Sequence, residues 1–149
     1  MRLERAACAS HEPFRLAECV HGSCGELFGE PQCVLHAGGI VDDLMVTRRD
    51  ADLLLVVNAA CKDADIRHLV THIGHRCQVV PLPDRALLAL QGPRAAQALA
   101  HMNAEVAKLT FMTGGAFKLA GVEAYVTRSG YTGEDGFEIS IPADAAPKV

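Results

Sequence analysis

Two adjacent carboxylates, Asp42 and Asp43, stand inside an otherwise apolar run, Ile40-Val-Asp-Asp-Leu-Met-Val-Thr47. A run of this kind behind a Gly38-Gly39 turn reads as a strand, in which Asp is disfavoured and successive side chains face opposite ways. Ile40, Asp42, Leu44 and Val46 then share one face, and Val41, Asp43, Met45 and Thr47 share the other. Each face is largely apolar, so at least one acid is pushed towards a poorly solvated place. An unpaired buried carboxylate costs several kcal/mol or shifts its pKa instead. Two arrangements satisfy the pattern: a twisted edge hairpin with both acids near its solvated end, or one acid placed to meet a ligand. A third carboxylate, Glu138, alternates with Phe137 and Ile139 on the last strand-like run. Alternation alone puts it on the solvent side of a half-buried strand.

Other groups capable of chemistry carry weaker signals. His68, His72 and His75 sit together on one side of a helical stretch, and no thiol or acid completes a metal site there. Their expected role is a solvated polar face. The six cysteines, Cys8, Cys19, Cys24, Cys33, Cys61 and Cys77, include no C-x-x-C pair, which disfavours zinc and redox readings. Cys19-x4-Cys24 with nearby histidines lacks the two tight ligand pairs of structural zinc, so no metal is expected.

The elements that must position these groups begin near residue 37. A strand at 40–48 and a continuous apolar run, Leu53-Leu-Leu-Val-Val57, form an antiparallel hairpin closed by Asn58. A helix follows from Lys62 to Gly74, with Ile66, Leu69, Val70 and Ile73 as its apolar stripe. Asp63 and Asp65 lie in its first turn, where the macrodipole favours negative charge. Gln78–Pro83 reads as an edge strand limited by its prolines. Leu87–Leu90 reads as a buried strand, and Pro93 as the first residue of a second helix over 93–101. A Gly114-Gly115 turn then leads to strands at 116–120 and 122–128. Ser129-Gly-Tyr-Thr-Gly-Glu-Asp-Gly136 is a tight loop, without the helix or the lysine of a phosphate loop. Residues 1–36 show no sustained period and read as an irregular leader. The order of elements predicts an α+β fold, mainly antiparallel sheet with two packed helices.

The totals fit one domain. The chain has 149 residues, half of them apolar, and a net charge of −4, which gives no reason to expect nucleic acid or an anionic membrane as partner. No apolar run approaches the ~20 residues that span a bilayer. The first residues lead into no long apolar segment, so the expected location is cytoplasmic, with reduced thiols.

Three segments together are similar to the aminomethyltransferases, the T proteins of the glycine cleavage system. They are Gly38-Gly-Ile-Val-Asp-Asp-Leu44, Leu88-Ala-Leu-Gln-Gly-Pro93 and Arg128-Ser-Gly-Tyr-Thr-Gly-Glu-Asp-Gly-Phe-Glu-Ile139. Leu55-Val-Val-Asn-Ala59 and Leu109-Thr-Phe-Met112 fit the same frame, so the resemblance covers residues 37–149. It implies a partial folate-binding domain over that range, cut at both ends. It also implies transfer of a one-carbon unit from the aminomethylated dihydrolipoyl arm of the lipoylated H protein to tetrahydrofolate, with release of ammonia. Asp43 corresponds to the family's catalytic acid, near the folate nitrogens that receive the carbon, and Asp42 should matter less. Asn58, with Val56 beside it, corresponds to a folate contact, Glu138 to the residue that holds the pterin, and Tyr131 to a loop residue near the same pocket. The alternative is a folate-binding or inactive truncated homologue without transferase activity.

Overall fold

A computed structural model describes residues 2–8, 32–34, 40–49, 52–130 and 132–149. The chain forms two compact units, Met1–Pro83 and Asp84–Val149.

The first unit is built on an antiparallel sheet in which β1 (Arg2–Cys8) lies between β5 (Leu53–Val57) and β6 (Cys77–Leu82), with β4 (Met45–Arg48) outside β5. A separate two-stranded ribbon joins β2 (Gln32–Val34) to β3 (Ile40–Asp43). The strands β4 and β5 are the expected hairpin, with Met45 opposite Val56 and Arg48 opposite Leu53. Arg49 closes it on Asp52 through backbone and side chain. The strand β6 is at the sheet edge, as its prolines require. Two expectations are corrected. Arg2–Cys8 is a central strand rather than part of an irregular leader, because ladder bonds on both edges define a strand whatever its side-chain pattern. The run 40–48 is two strands, split at Leu44 and paired in different sheets. The alternation is therefore reset: Asp42 and Leu44 are buried ahead of the break, and Met45 and Thr47 after it.

The helix α1 (Lys62–Ile73) ends at Gly74 as its sequence dictates. Its buried residues are Asp65, Leu69 and Ile73, and Val70 is 50% exposed. The apolar stripe is thus rotated towards positions 65, 69 and 73, and an acid occupies its N-terminal end. Leu69 and Ile73 pack with Leu44, Leu55, Val57 and Cys77. His68 and His72 stack with ring centroids 4.1 Å apart on the other side of the helix.

The second unit is a four-stranded antiparallel sheet in the order β7 (Arg85–Gln91), β10 (Gly136–Pro142), β9 (Val122–Thr127), β8 (Gly114–Leu119). The helix α2 (Ala95–Met102) buries Ala95 and Leu99 against a core of Val106, Leu119, Val126, Phe137, Ile139 and Ile141. The strand β10 is central and buried along both faces from Gly136 to Ile141. Here three expectations shift. Leu87–Leu90 is on an edge strand and only half buried. Pro93 sits in the turn before α2, because Gly92 adopts φ 120° and delays the helical start. Gly114-Gly115 lies inside β8, and the turn is at Ala120-Gly121 with φ 47° and 78°. A Cβ on Gly114 would stand 2.8 Å from the Thr127 side chain, so glycine there serves close strand approach.

The rotated stripe makes a direct prediction. Leu69→Ala should cost about 2–5 kcal/mol in urea unfolding. Val70→Ala, half exposed on a helix, should stay within about 0.5 kcal/mol. Equal costs at the two positions would restore the stripe expected from periodicity.

Candidate functional site

The acids of the first unit separate clearly. Asp42 is 8% exposed, and Asp43, one residue later, is exposed. Both are tied to the residue that follows β5. The Asn58 side-chain amide donates to Asp42 Oδ1 at 3.0 Å, to Asp43 Oδ1 at 3.0 Å and to the Asp43 carbonyl at 3.1 Å. Three acceptors around a nitrogen with two hydrogens fix the orientation of the amide. Among the described residues, the Asn58 carbonyl oxygen is then the polar end left for a ligand. Val56, on β5, is buried and faces no solvent.

Asp42 is flanked by more than Asn58. Backbone N–H groups of Asp43 and Asn58 also bond it, and Asp65, 3% exposed at the start of α1, is within hydrogen-bonding reach of it. Burial works to raise the Asp42 pKa, and these hydrogen bonds outweigh it to leave the carboxyl below its ordinary value. Asp65 bears the opposite shift. Burial first, then its hydrogen bond to Asp42 and the Asp42 charge, push it up to about 6. The helix N-terminus that favours an anion does not compensate. Cys61, just before α1, feels the same field: the Asp42, Asp65 and Asp43 charges together with desolvation raise its thiol. Among the described residues no group of three or more His, Cys, Asp or Glu is arranged to hold a metal ion.

Glu138, in the second unit, overturns the solvent-facing expectation. It is 4% exposed on the central strand β10, opposite Thr127 on β9 and Ala89 on β7. A central strand has no solvated face unless the sheet is open on one side, and here Glu138 and Ser140 are both buried. Its side chain accepts from Ser129, which donates to Oε2 at 3.4 Å and in turn meets the Thr127 hydroxyl at 3.2 Å. Burial raises the Glu138 pKa, and the Ser129 bond opposes this only in part. Tyr131 lies outside the described residues, as do Cys19 and Cys24.

The loop that leads to Glu138 is held by an ion pair that motif reading passed over. Arg128 makes two parallel bonds to Asp135, Nε to Oδ1 at 2.8 Å and Nη2 to Oδ2 at 2.6 Å. Its Nη1 reaches the Leu109 carbonyl at 2.6 Å, and its guanidinium stands 5.2 Å from the Phe137 ring centroid. Gly133 turns the loop at φ 80°, and Gly130 has no room for a Cβ beside the Glu134 carbonyl. The Gly92 N–H donates to the Asp135 carbonyl at 2.7 Å, which fastens the loop to the end of β7. Asp65 was also missed, being read only as a first-turn acid. Its signal was present, since residues 65, 69 and 73 share one helix face at four-residue intervals.

Because the fork of Arg128 matches the carboxylate, Arg128→Lys should destabilise the second unit by about 1–3 kcal/mol. Arg128 holds the Asp135 carboxyl below its ordinary value, so this pair stabilises above the unfolded-state pKa, and its contribution is lost as pH falls through the lowered one. Acid unfolding followed by circular dichroism should therefore show a smaller wild-type advantage over Arg128→Lys near pH 3 than at pH 7. An unchanged gap would show that the pair adds nothing to stability.

Comparison with known proteins places the chain in a family. The GCVT N-terminal domain model matches residues 31–149. The mitochondrial aminomethyltransferase of Canis lupus familiaris is 47% identical over 121 residues, 76% of this chain and 30% of the relative. That of Dictyostelium discoideum is 40% identical over 122 residues, 75% of this chain and 30% of the relative. The crystal structure of the glycine cleavage system aminomethyltransferase T from Bartonella henselae superposes with a TM-score of 0.77 at 34% identity, covering 98% of this chain and 41% of that one. The chain thus spans about 30% of the length of these curated relatives. The expectation of a cytoplasmic location is corrected by the same relatives, which are named as mitochondrial. With four fifths of its residues under the family model, and with Asp42, Asp43, Asn58 and Glu138 all inside the matched range, this chain belongs to the GCVT N-terminal domain family.

Proposed function

We propose that this chain is the tetrahydrofolate-binding region of an aminomethyltransferase of the glycine cleavage system. The reaction moves a one-carbon unit from the aminomethylated dihydrolipoyl arm of the H protein to tetrahydrofolate. Two carbon–nitrogen bonds form at the folate nitrogens as the aminomethyl carbon–sulfur and carbon–nitrogen bonds break; the two folate N–H protons pass to the dihydrolipoyl thiol and to ammonia, and 5,10-methylene-tetrahydrofolate leaves. The observation that carries the reading is the split between the acids: one Asn58 amide holds both, with Asp42 buried and Asp43 exposed.

Asp43 is the acid accessible to a ligand. Its role is to orient and polarise the folate nitrogen that attacks, and to relay the proton released as the carbon–nitrogen bond forms. Holding folate and the aminomethyl carbon in contact supplies much of the remaining acceleration. Asn58 offers its carbonyl oxygen to folate, since its amide hydrogens are engaged with the acids. Val56 backs Asn58 from β5, and Tyr131 stands as a contact of the same ligand. Glu138 holds the pterin. A pterin edge presents a ring N–H beside an exocyclic amine, and an ionised carboxylate accepts both. Such charge-assisted bonds contribute about 1.5–3 kcal/mol each, which offsets the desolvation of Glu138. Partners are the lipoylated H protein and tetrahydrofolate. Among the described residues no helix is long and apolar enough to cross a membrane.

Two measurements test this. In an aminomethyl-transfer assay, Asp43→Asn should lower kcat at least a hundredfold with unchanged thermal stability. Asp42→Asn should instead lower the melting temperature. Equal effects on both readouts would sink the assignment of Asp43. Glu138→Gln should weaken tetrahydrofolate binding roughly tenfold or more, a loss of one charge-assisted bond. Binding by the wild type should also fade as pH drops through the raised Glu138 pKa, because only the ionised form accepts both pterin hydrogens. An unchanged affinity and a flat profile would remove Glu138 from the pterin.

A further inference from the structure

Among the described residues of the first unit, Asp42 Oδ2 and Asp65 Oδ2 are both buried and have no hydrogen-bond partner. Both residues are more than nine-tenths buried, and their carboxyl groups are within hydrogen-bonding reach of each other. Two ionised carboxylates are acceptors only, so neither can satisfy the other. One proton between them turns the same geometry into a hydrogen bond and removes one of two buried charges.

We propose that Asp42 and Asp65 hold one shared proton, and that this bridged pair is a positioning device that sets Asn58 and, through it, the exposed Asp43. The chain of contacts is continuous. Asp65 on α1 bridges to Asp42 on β3, Asp42 Oδ1 accepts from Asn58, and the same amide nitrogen reaches Asp43 Oδ1. Asp65 is therefore a positioning residue, not a catalytic one: it acts on Asp43 through Asp42 and Asn58. The bridged state leaves Asp42 with the charge, because Asp42 has the N–H donors of Asn58 and Asp43 and Asp65 does not. The titratable and charged groups among the described residues of the surrounding elements are Asp42 and Asp43 on β3, Arg48 on β4, Cys77 on β6, Cys61 just before α1, and Lys62, Asp63, Arg67, His68 and His72 along α1. Of these, Asp42 is the group that acts on Asp65. Loss of the shared proton sets two buried like charges against each other, so the linkage to Asn58 is disturbed on the alkaline side of about pH 6.

The role in ligand binding rests on the folate reading, but the shared proton does not. Carbon-13 NMR of the full chain between pH 3 and 9, without ligand, should show the two carboxyls titrating as a coupled pair. One midpoint should lie below the ordinary aspartate range and one well above it. The Asn58 side-chain amide signals should move with the upper midpoint. Asp65→Asn, which supplies a fixed N–H to Asp42, should keep those amide signals in place and flatten their pH dependence. Asp65→Ala should shift or broaden them at every pH. Two independent titrations in the ordinary range, or Asn58 signals indifferent to both variants, would overturn the proposal. In a parallel tetrahydrofolate titration, Asp65→Ala should weaken binding at least tenfold, and Asp65→Asn should restore it with a flatter pH profile. Equal affinity in Asp65→Ala and wild type would overturn the positioning role. Coupled carboxyls with no tetrahydrofolate binding by any form would support the bridge and overturn the folate reading instead.

Discussion

A single amide nitrogen with three oxygens around it is the interaction on which the first unit depends. Asn58 follows β5, Asp42 and Asp43 end β3, and the side-chain bonds between them link a ribbon strand to a sheet strand 16 residues away at Asp42. Burying Asp42 without those bonds would cost several kcal/mol. With them, the carboxyl is stabilised enough to stay ionised while its neighbour on α1 is pushed towards neutrality. The cost of desolvation thus decides which of two adjacent acids faces solvent, and the chain break at Leu44 lets Asp42 and Met45 both turn inward.

The second unit solves the same problem differently. Glu138 is taken out of water on the most buried strand of its sheet and is given a hydroxyl, Ser129, rather than an amide or a cation. Arg128 does not neutralise it, its guanidinium being committed to Asp135 and to backbone carbonyls. That commitment fixes the loop and leaves Glu138 under-compensated. An under-compensated buried carboxylate is a group whose environment improves when a donor-rich ligand arrives.

Much of the fold was legible because local and tertiary signals agreed. The β4–β5 hairpin, the bounds of α1, the edge position of β6 and the antiparallel α+β class follow from apolar runs, prolines and a terminal glycine. The misread places are those where a tertiary contact overrode a local pattern. Leu44 interrupts a run that reads on paper as one continuous strand. Arg2–Cys8 has no strand-like alternation and becomes a strand through the neighbours on its two edges. Gly114-Gly115 looks like a turn and instead allows β8 to approach Thr127. At the candidate sites, the acid pair and the poor solvation of at least one of its members were readable, but which acid is buried, and the burial of Glu138, were not. Asp65 was hidden because helical periodicity was anchored on Ile66 and Val70, and the true buried face is one residue away.

If Asn58 holds the acid pair in a form that a folate can use, its amide is indispensable to binding. Isothermal titration of the full chain with tetrahydrofolate at pH 6, comparing wild type with Asn58→Leu, tests this most directly. Leucine fills a similar volume and donates nothing. The account predicts saturable binding by the wild type and at least tenfold weaker binding by Asn58→Leu, with the same far-ultraviolet circular dichroism. Equal affinity in the two proteins, or no binding by either, would contradict it.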